Sequence, residues 1–181
     1  MERDVTLIAF FAALIAALGL IPAIPLGFGV PITAQNLGVM LCGTVLGARR
    51  GALSVLLFLG LVALGLPLLS GGRGGLGVFT GPTAGFLVGW VVSAIVAGLI
   101  VRHWRGVSLT VSAAVGALVG AVVVSYAFGI VWLAHMLDRT LVEATGMMLV
   151  FIPGDVIKAV IAGFLTASIY KARPHMVLSR R

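Results

Sequence analysis

The sequence predicts an all-α integral membrane protein with six transmembrane helices and a glycine-rich external loop between the third and fourth. Three observations carry that expectation. Of the 181 residues, 61% are hydrophobic and only 9% charged, and the mean hydropathy of +1.22 lies outside the range of a soluble domain. The apolar residues form continuous runs, each near the ~20 residues a bilayer-spanning helix needs, and they do not alternate as the strands of a membrane barrel would. Cations sit at the edges of these runs. The net charge of +7 therefore reads as orientation in a lipid bilayer, and nucleic acid is set aside as a partner.

The runs follow one another as a single membrane domain, residues 1–181. The first, about 5–24, is closed by Pro22 and Pro25. It reads as a retained span and not a signal peptide, because Glu2 and Asp4 flank Arg3 and five further runs follow. The second, about 32–48, starts after Pro31 and holds the single cysteine, Cys42, which permits no internal disulfide. Arg49-Arg50-Gly51 then interrupts the pattern, since each arginine at mid-bilayer would cost about 2.5–3.5 kcal/mol. The third run is about 52–69. The fourth, about 83–101, and the fifth, about 109–133, are separated by Arg102–Gly106, and the sixth, about 149–170, precedes a basic tail. Arg3, Arg49, Arg50, Arg102, Arg105, Lys171, Arg173, Arg180 and Arg181 fall on one side of this arrangement. They are nine of the twelve cations, so both termini are expected in the cytoplasm.

Arg73, Arg139 and Lys158 break that pattern, and function is sought there. In "FIPGDVIKAVIAGF", Pro153 suits the first turn of a helix. Asp155 then lies near its positive end, and Lys158 shares its face three residues on. Ionisable groups inside a span mark a ligand or ion path more often than not. A self-neutralising Asp–Lys pair is the alternative.

The loop "SGGRGGLGVFTGP" is the second candidate. Irregular backbone at membrane depth survives where it is buried in protein or lines a cavity. Gly74 and Gly75 can bring backbone N–H groups close to an anion, Arg73 offers a fork suited to a carboxylate, and Phe79 and Phe86 offer flat apolar walls. Thr83, at the loop's end, joins this set. The G-x-G-x-x-G match at 72–77 has no strand before it and carries no dinucleotide site. Gln35 and Asn36, in "PITAQN", could bind a ligand or cap a helix. His103 and His135 lack partners at metal-ligand spacing, and no nucleotide-hydrolysing or nucleophile motif is present. Neither metal, cofactor nor enzymatic activity is expected, and any energy for active transport must come from another subunit. In the first run Ala9, Ala13 and Ala17 recur at every fourth position, a spacing that lets another helix approach closely. Packing within the protein would explain them equally well.

"PITAQNLGVMLCGTVLGARRGALSVLLFL", "GLPLLSGGRGGLGVFTGPTAGFLVGW" and "PGDVIK" resemble, in order and spacing, the BioY family of biotin-specific substrate-binding components of energy-coupling-factor (ECF) transporters. The resemblance spans about residues 5–170. It implies six helices in the bacterial cytoplasmic (inner) membrane and an external pocket with biotin as transported ligand. It also implies partnership with a transmembrane coupling subunit and ATPase subunits, with the Ala9, Ala13, Ala17 stripe as docking surface. The chain departs from the family pattern at Asn36, where threonine is usual, and at "PTAGF", where Phe86 replaces a tyrosine. Biotin suits the residues: Lys158 and Asp155 can answer its ureido ring, and Arg73 with the glycine backbone its carboxylate. A component for another vitamin, and an intramembrane enzyme using Asp155 and Lys158 as acid and base, remain open. So does a homo-oligomer.

Overall fold

Residues 2–180 are described by the computed structural model, and helices carry the fold throughout them. Helix α1 is Glu2–Leu18, α2 is Gln35–Leu41 running on into a widened π turn at Cys42–Leu46, and α3 is Ala48–Ala63. Helix α4 is Ala84–His103. The fifth column joins α5, Leu109–Leu118, through a π segment, Val119–Val124, to α6, Ser125–Met136. The sixth joins α7, Leu141–Met148, through a tight turn at Leu149–Phe151 to α8, Ile152–Ala172. Six helical columns result. The last three, Ala84–His103, Leu109–Met136 and Leu141–Ala172, are long and apolar enough to cross a membrane.

Several boundaries differ from the sequence expectation for physical reasons. α1 stops at Leu18, since Gly19 is followed by two prolines that cannot sustain a helix. The break after α2 is Gly47, whose φ of 82° few side-chain-bearing residues adopt. Arg49 and Arg50 instead belong to the first turn of α3, where the Arg50 Nε lies 2.9 Å from an Asp4 carboxylate oxygen. Helix α7 occupies a stretch read as a connection. It begins at a capping box in which the Thr140 hydroxyl accepts from the Glu143 amide and the Glu143 carboxylate accepts from the Thr140 amide.

Glycines set how closely the columns pass. A Cβ on Gly98 would lie 2.2 Å from the Ala48 nitrogen, one on Gly43 2.6 Å from the Ala94 carbonyl, and one on Gly163 2.6 Å from the Thr110 carbonyl. Backbone therefore meets backbone at these crossings, which is how helices associate where no water drives them together. One core cluster is built around Ile15, Val39, Val55, Phe58 and Val62. A second joins Val30, Phe86, Tyr126, Leu133, Met148 and Phe151.

The expected cation-rich end exists as one surface. Arg3 donates to the His175 carbonyl, and Arg105 donates to the Arg180 carbonyl at 3.0 Å. Arg180 in turn donates to the Val107 carbonyl and the Ser112 hydroxyl. The basic tail folds back here with Val177, Leu178 and Ser179 buried, and the Ser179 hydroxyl donates to the Thr44 carbonyl beneath the short α2 column. Arg181 lies outside the described residues.

The glycine-rich stretch, at the other end, is a folded turn. Leu69 and Arg73 exchange backbone hydrogen bonds of 3.0 and 3.2 Å across Gly71 and Gly72, which adopt φ of 78° and 70°. A Cβ on Gly74 would sit 2.3 Å from the Leu66 carbonyl, and the Gly75 amide donates to the Val62 carbonyl at 2.8 Å. The loop is thus docked on the end of α3 before it reaches the short helical turn Leu76–Phe79.

Candidate ligand-binding site

Asp155 is the natural place to begin, because a carboxylate that is 3% exposed must find partners. Pro153 starts α8 without wasting an amide hydrogen, which places Asp155 in the first turn, where the helix dipole favours its anion. Three side chains from three helices donate to it. The Lys158 ammonium does so at 3.1 Å from α8, the Asn36 amide at 3.1 Å from α2, and the Tyr126 hydroxyl at 2.6 Å from α6. This cluster is charge-neutral as a pair, yet it is not closed. Lys158 keeps two of its three N–H donors, and the Asn36 carboxamide oxygen is buried with no hydrogen-bond partner.

Lys158 and Asn36 both line a cavity with about 570 Å³ of empty space, open solvent at its mouth included. Its walls include Asn36, Asp155 and Lys158, the aromatic rings of Phe86, Trp90, Tyr126 and Phe151, and Arg73 from the loop. Two of these rings meet edge to face: Phe86 and Tyr126 lie 6.3 Å apart at an interplanar angle of 81°. The Phe86 ring occupies the space over Gly129, where any Cβ would come within 2.1 Å of it. Arg73 uses its Nε on the Ser70 carbonyl at 3.2 Å, leaving the two terminal nitrogens of the fork free. Among the described residues the ion pairs are Arg50–Asp4, Arg139–Glu143 and Lys158–Asp155, so Arg73 has no carboxylate beside it. Partial burial pulls its guanidinium below the ordinary arginine value, because desolvation disfavours the charged form.

The candidates read from sequence therefore separate. Asp155, Lys158, Arg73, Gln35, Thr83 and Phe86 converge on one cavity. Gly74, Gly75 and Phe79 are not among its walls. The two glycines serve the approach of the loop to α3, and Phe79 packs against the main core cluster along with Val78. Gln35 lines the cavity, but its amide is spent on the protein, donating to the Ile15 and Leu68 carbonyls and accepting from the Ser70 amide. Ala9, Ala13 and Ala17 form an exposed line on α1, so packing within the chain does not account for them. Sequence reasoning missed Tyr126, Trp90 and Phe151. Tyr126 looks like any apolar span residue until the π segment before it is known. One extra residue there turns everything after it by about 100° around the helix axis.

Fold and site together define an all-helical membrane protein with a partly enclosed cavity that combines a buried ionisable cluster, aromatic walls and a lone arginine. The sequence matches the family described as BioY over residues 2–175. A protein named biotin transporter BioY from Rhodobacter capsulatus is 54% identical over 189 residues, covering 99% of this chain and 100% of that one. One of the same name from Rhizobium etli is 54% identical over 95% of each chain. A crystal structure described as the S-component for biotin from an ECF-type ABC transporter superposes with a TM-score of 0.88 at 34% identity. It covers 94% of this chain and 92% of its own. The chain belongs to the BioY family. Its relatives carry the names of transporters and not of enzymes.

Removing the Tyr126 hydroxyl tests the cluster without reference to any ligand. Tyr126→Phe strips one donor from a buried carboxylate and should cost about 1–3 kcal/mol of stability, read as a lower thermal midpoint of the purified protein. An unchanged midpoint would mean that water or another donor already serves Asp155.

Proposed function

We propose that this chain binds biotin from the outside of the cytoplasmic membrane and serves as the substrate-specific component of an ECF-type transporter. The observation that carries this reading is the pairing, in one cavity, of an unfinished polar cluster with an unpaired arginine. A ureido group presents one carbonyl between two N–H donors. Its carbonyl suits the spare donors of Lys158, and its N–H groups suit the unpartnered Asn36 oxygen and the Asp155 carboxylate. Phe86, Trp90, Tyr126 and Phe151 supply flat walls for the fused ring and hydrocarbon tail. Arg73, entering from the loop with its fork open, suits the terminal carboxylate. The names borne by the similar proteins point to the same ligand.

Orientation follows from charge. The cation-rich end would face the cytoplasm with both termini, placing the cavity, at the opposite ends of α4 and α8, on the outside. Transport would then need other subunits, a coupling protein in the membrane and ATPases, since the chain has no nucleotide-hydrolysing motif of its own. The exposed Ala9, Ala13 and Ala17 line on α1 is the docking face proposed for the coupling protein: small side chains there let a partner helix come near.

Titration of biotin into the purified protein tests the ligand. Wild type should bind, and Lys158→Ala and Asn36→Ala should each weaken binding on the order of tenfold or more, as expected for one lost hydrogen bond in a desolvated site. Folded variants that bind as tightly as wild type would remove the polar cluster from the binding site. Ala13→Leu should leave binding intact and depress biotin uptake by cells that contain the ATPase and coupling subunits. Undiminished uptake would take the docking role away from α1.

A further inference from the structure

Gln35 lies in the cavity wall, yet its polar atoms serve the protein. Its side-chain nitrogen has two hydrogens, and both are taken, by the Ile15 carbonyl at 3.1 Å and the Leu68 carbonyl at 3.0 Å. Its oxygen accepts from the Ser70 amide at 2.9 Å. The residue is 1% exposed. One carboxamide therefore joins the end of α1, the start of α2 and the strand of loop that enters the glycine turn. Space for it is provided by Gly19, where a Cβ would fall 2.7 Å from the Gln35 nitrogen and 2.6 Å from the Leu68 carbonyl.

Ser70 passes this anchoring on. Its carbonyl accepts from the Arg73 Nε at 3.2 Å, and the turn it opens is closed by the Leu69–Arg73 backbone pair. Gly71 and Gly72, at positive φ, give that turn its shape but no side-chain anchorage. Because Arg73 has no acidic neighbour, the Ser70 carbonyl is the contact that aims its fork. We propose that Gln35 is a positioning residue. By holding Ser70 it sets where the Arg73 guanidinium stands, and so governs how strongly the site prefers a ligand with an anionic end over the same ligand without one. This rests on the reading above that Arg73 meets a carboxylate.

The test compares biotin with biotin amide, its neutral counterpart, on purified full-length protein. Gln35→Met, which keeps the shape and removes the hydrogen bonds, should lower affinity for biotin on the order of tenfold and for the amide far less. In an Arg73→Ala background the same substitution should add no further loss. Gly19→Ala, whose methyl would meet both the Leu68 carbonyl and the Gln35 nitrogen, disturbs the same anchorage from the other side and should repeat the Gln35→Met result if that variant folds poorly. In ligand-free protein, hydrogen exchange across residues 66–73 should quicken in Gln35→Met or Gly19→Ala. Equal losses for acid and amide, or a full loss persisting in Arg73→Ala, would overturn the proposal, as would unchanged exchange in the ligand-free variants. Failure of wild type to bind biotin would instead overturn the functional reading, and the exchange result would decide the role of Gln35 alone.

Discussion

A carboxylate inside a membrane protein is stable only when the surrounding helices are arranged to serve it. Asp155 imposes that arrangement here. Its three donors come from α2, α6 and α8, so satisfying one anion fixes three elements that the chain order separates by 119 and 29 residues. The cavity is the space those elements enclose. Its polar floor is left incomplete at Asn36 and Lys158, because the donors that satisfy Asp155 have further valences that the protein does not fill. Local requirements on one buried charge thereby leave polar groups unspent in the walls of the cavity.

The other half of the site obeys a different constraint. Arg73 must reach the cavity from a loop, and a loop near lipid needs its backbone groups satisfied internally. The glycines answer this by shape. Positive φ at Gly71 and Gly72 closes the turn, and the absence of a side chain at Gly74 lets the loop lie on the end of α3. Gln35 supplies the polar anchorage that glycine lacks. An arginine held in this way keeps its charge poised without a counter-ion. In the proposed reading, a ligand carboxylate would relieve the electrostatic cost of that arrangement.

Much of this was legible in the sequence. Continuous apolar runs, cations at their edges and an Asp–Lys pair one turn apart pointed to a helical membrane protein with a polar site, and Asp155, Lys158, Arg73, Thr83 and Phe86 do meet in one cavity. The failures share a cause: sequence periodicity assumes a regular helix and says nothing of which element lies opposite. Tyr126 was invisible because a π segment resets the register just before it. The hydrogen bonds of Gln35 could not be read because its partners are 20, 33 and 35 residues away. The approach of Gly74 to the Leu66 carbonyl was equally out of reach, because a glycine needed for backbone approach to a ligand looks the same in sequence as one needed for approach to a helix end. α7 was read as a connection although Thr140 and Glu143, a capping box at the right spacing, announced it.

One cavity is proposed to read the two ends of one molecule with different groups. The structure of the protein with biotin bound tests this most directly. The ureido ring should lie within hydrogen-bonding distance of Asn36, Asp155 and Lys158, with the carboxylate against Arg73 and the rings of Phe86 and Trp90 alongside the apolar body. Biotin bound in the reverse orientation would contradict the account. So would biotin lodged in the apolar groove lined by Phe128, Val131 and Trp132 between α4 and α6.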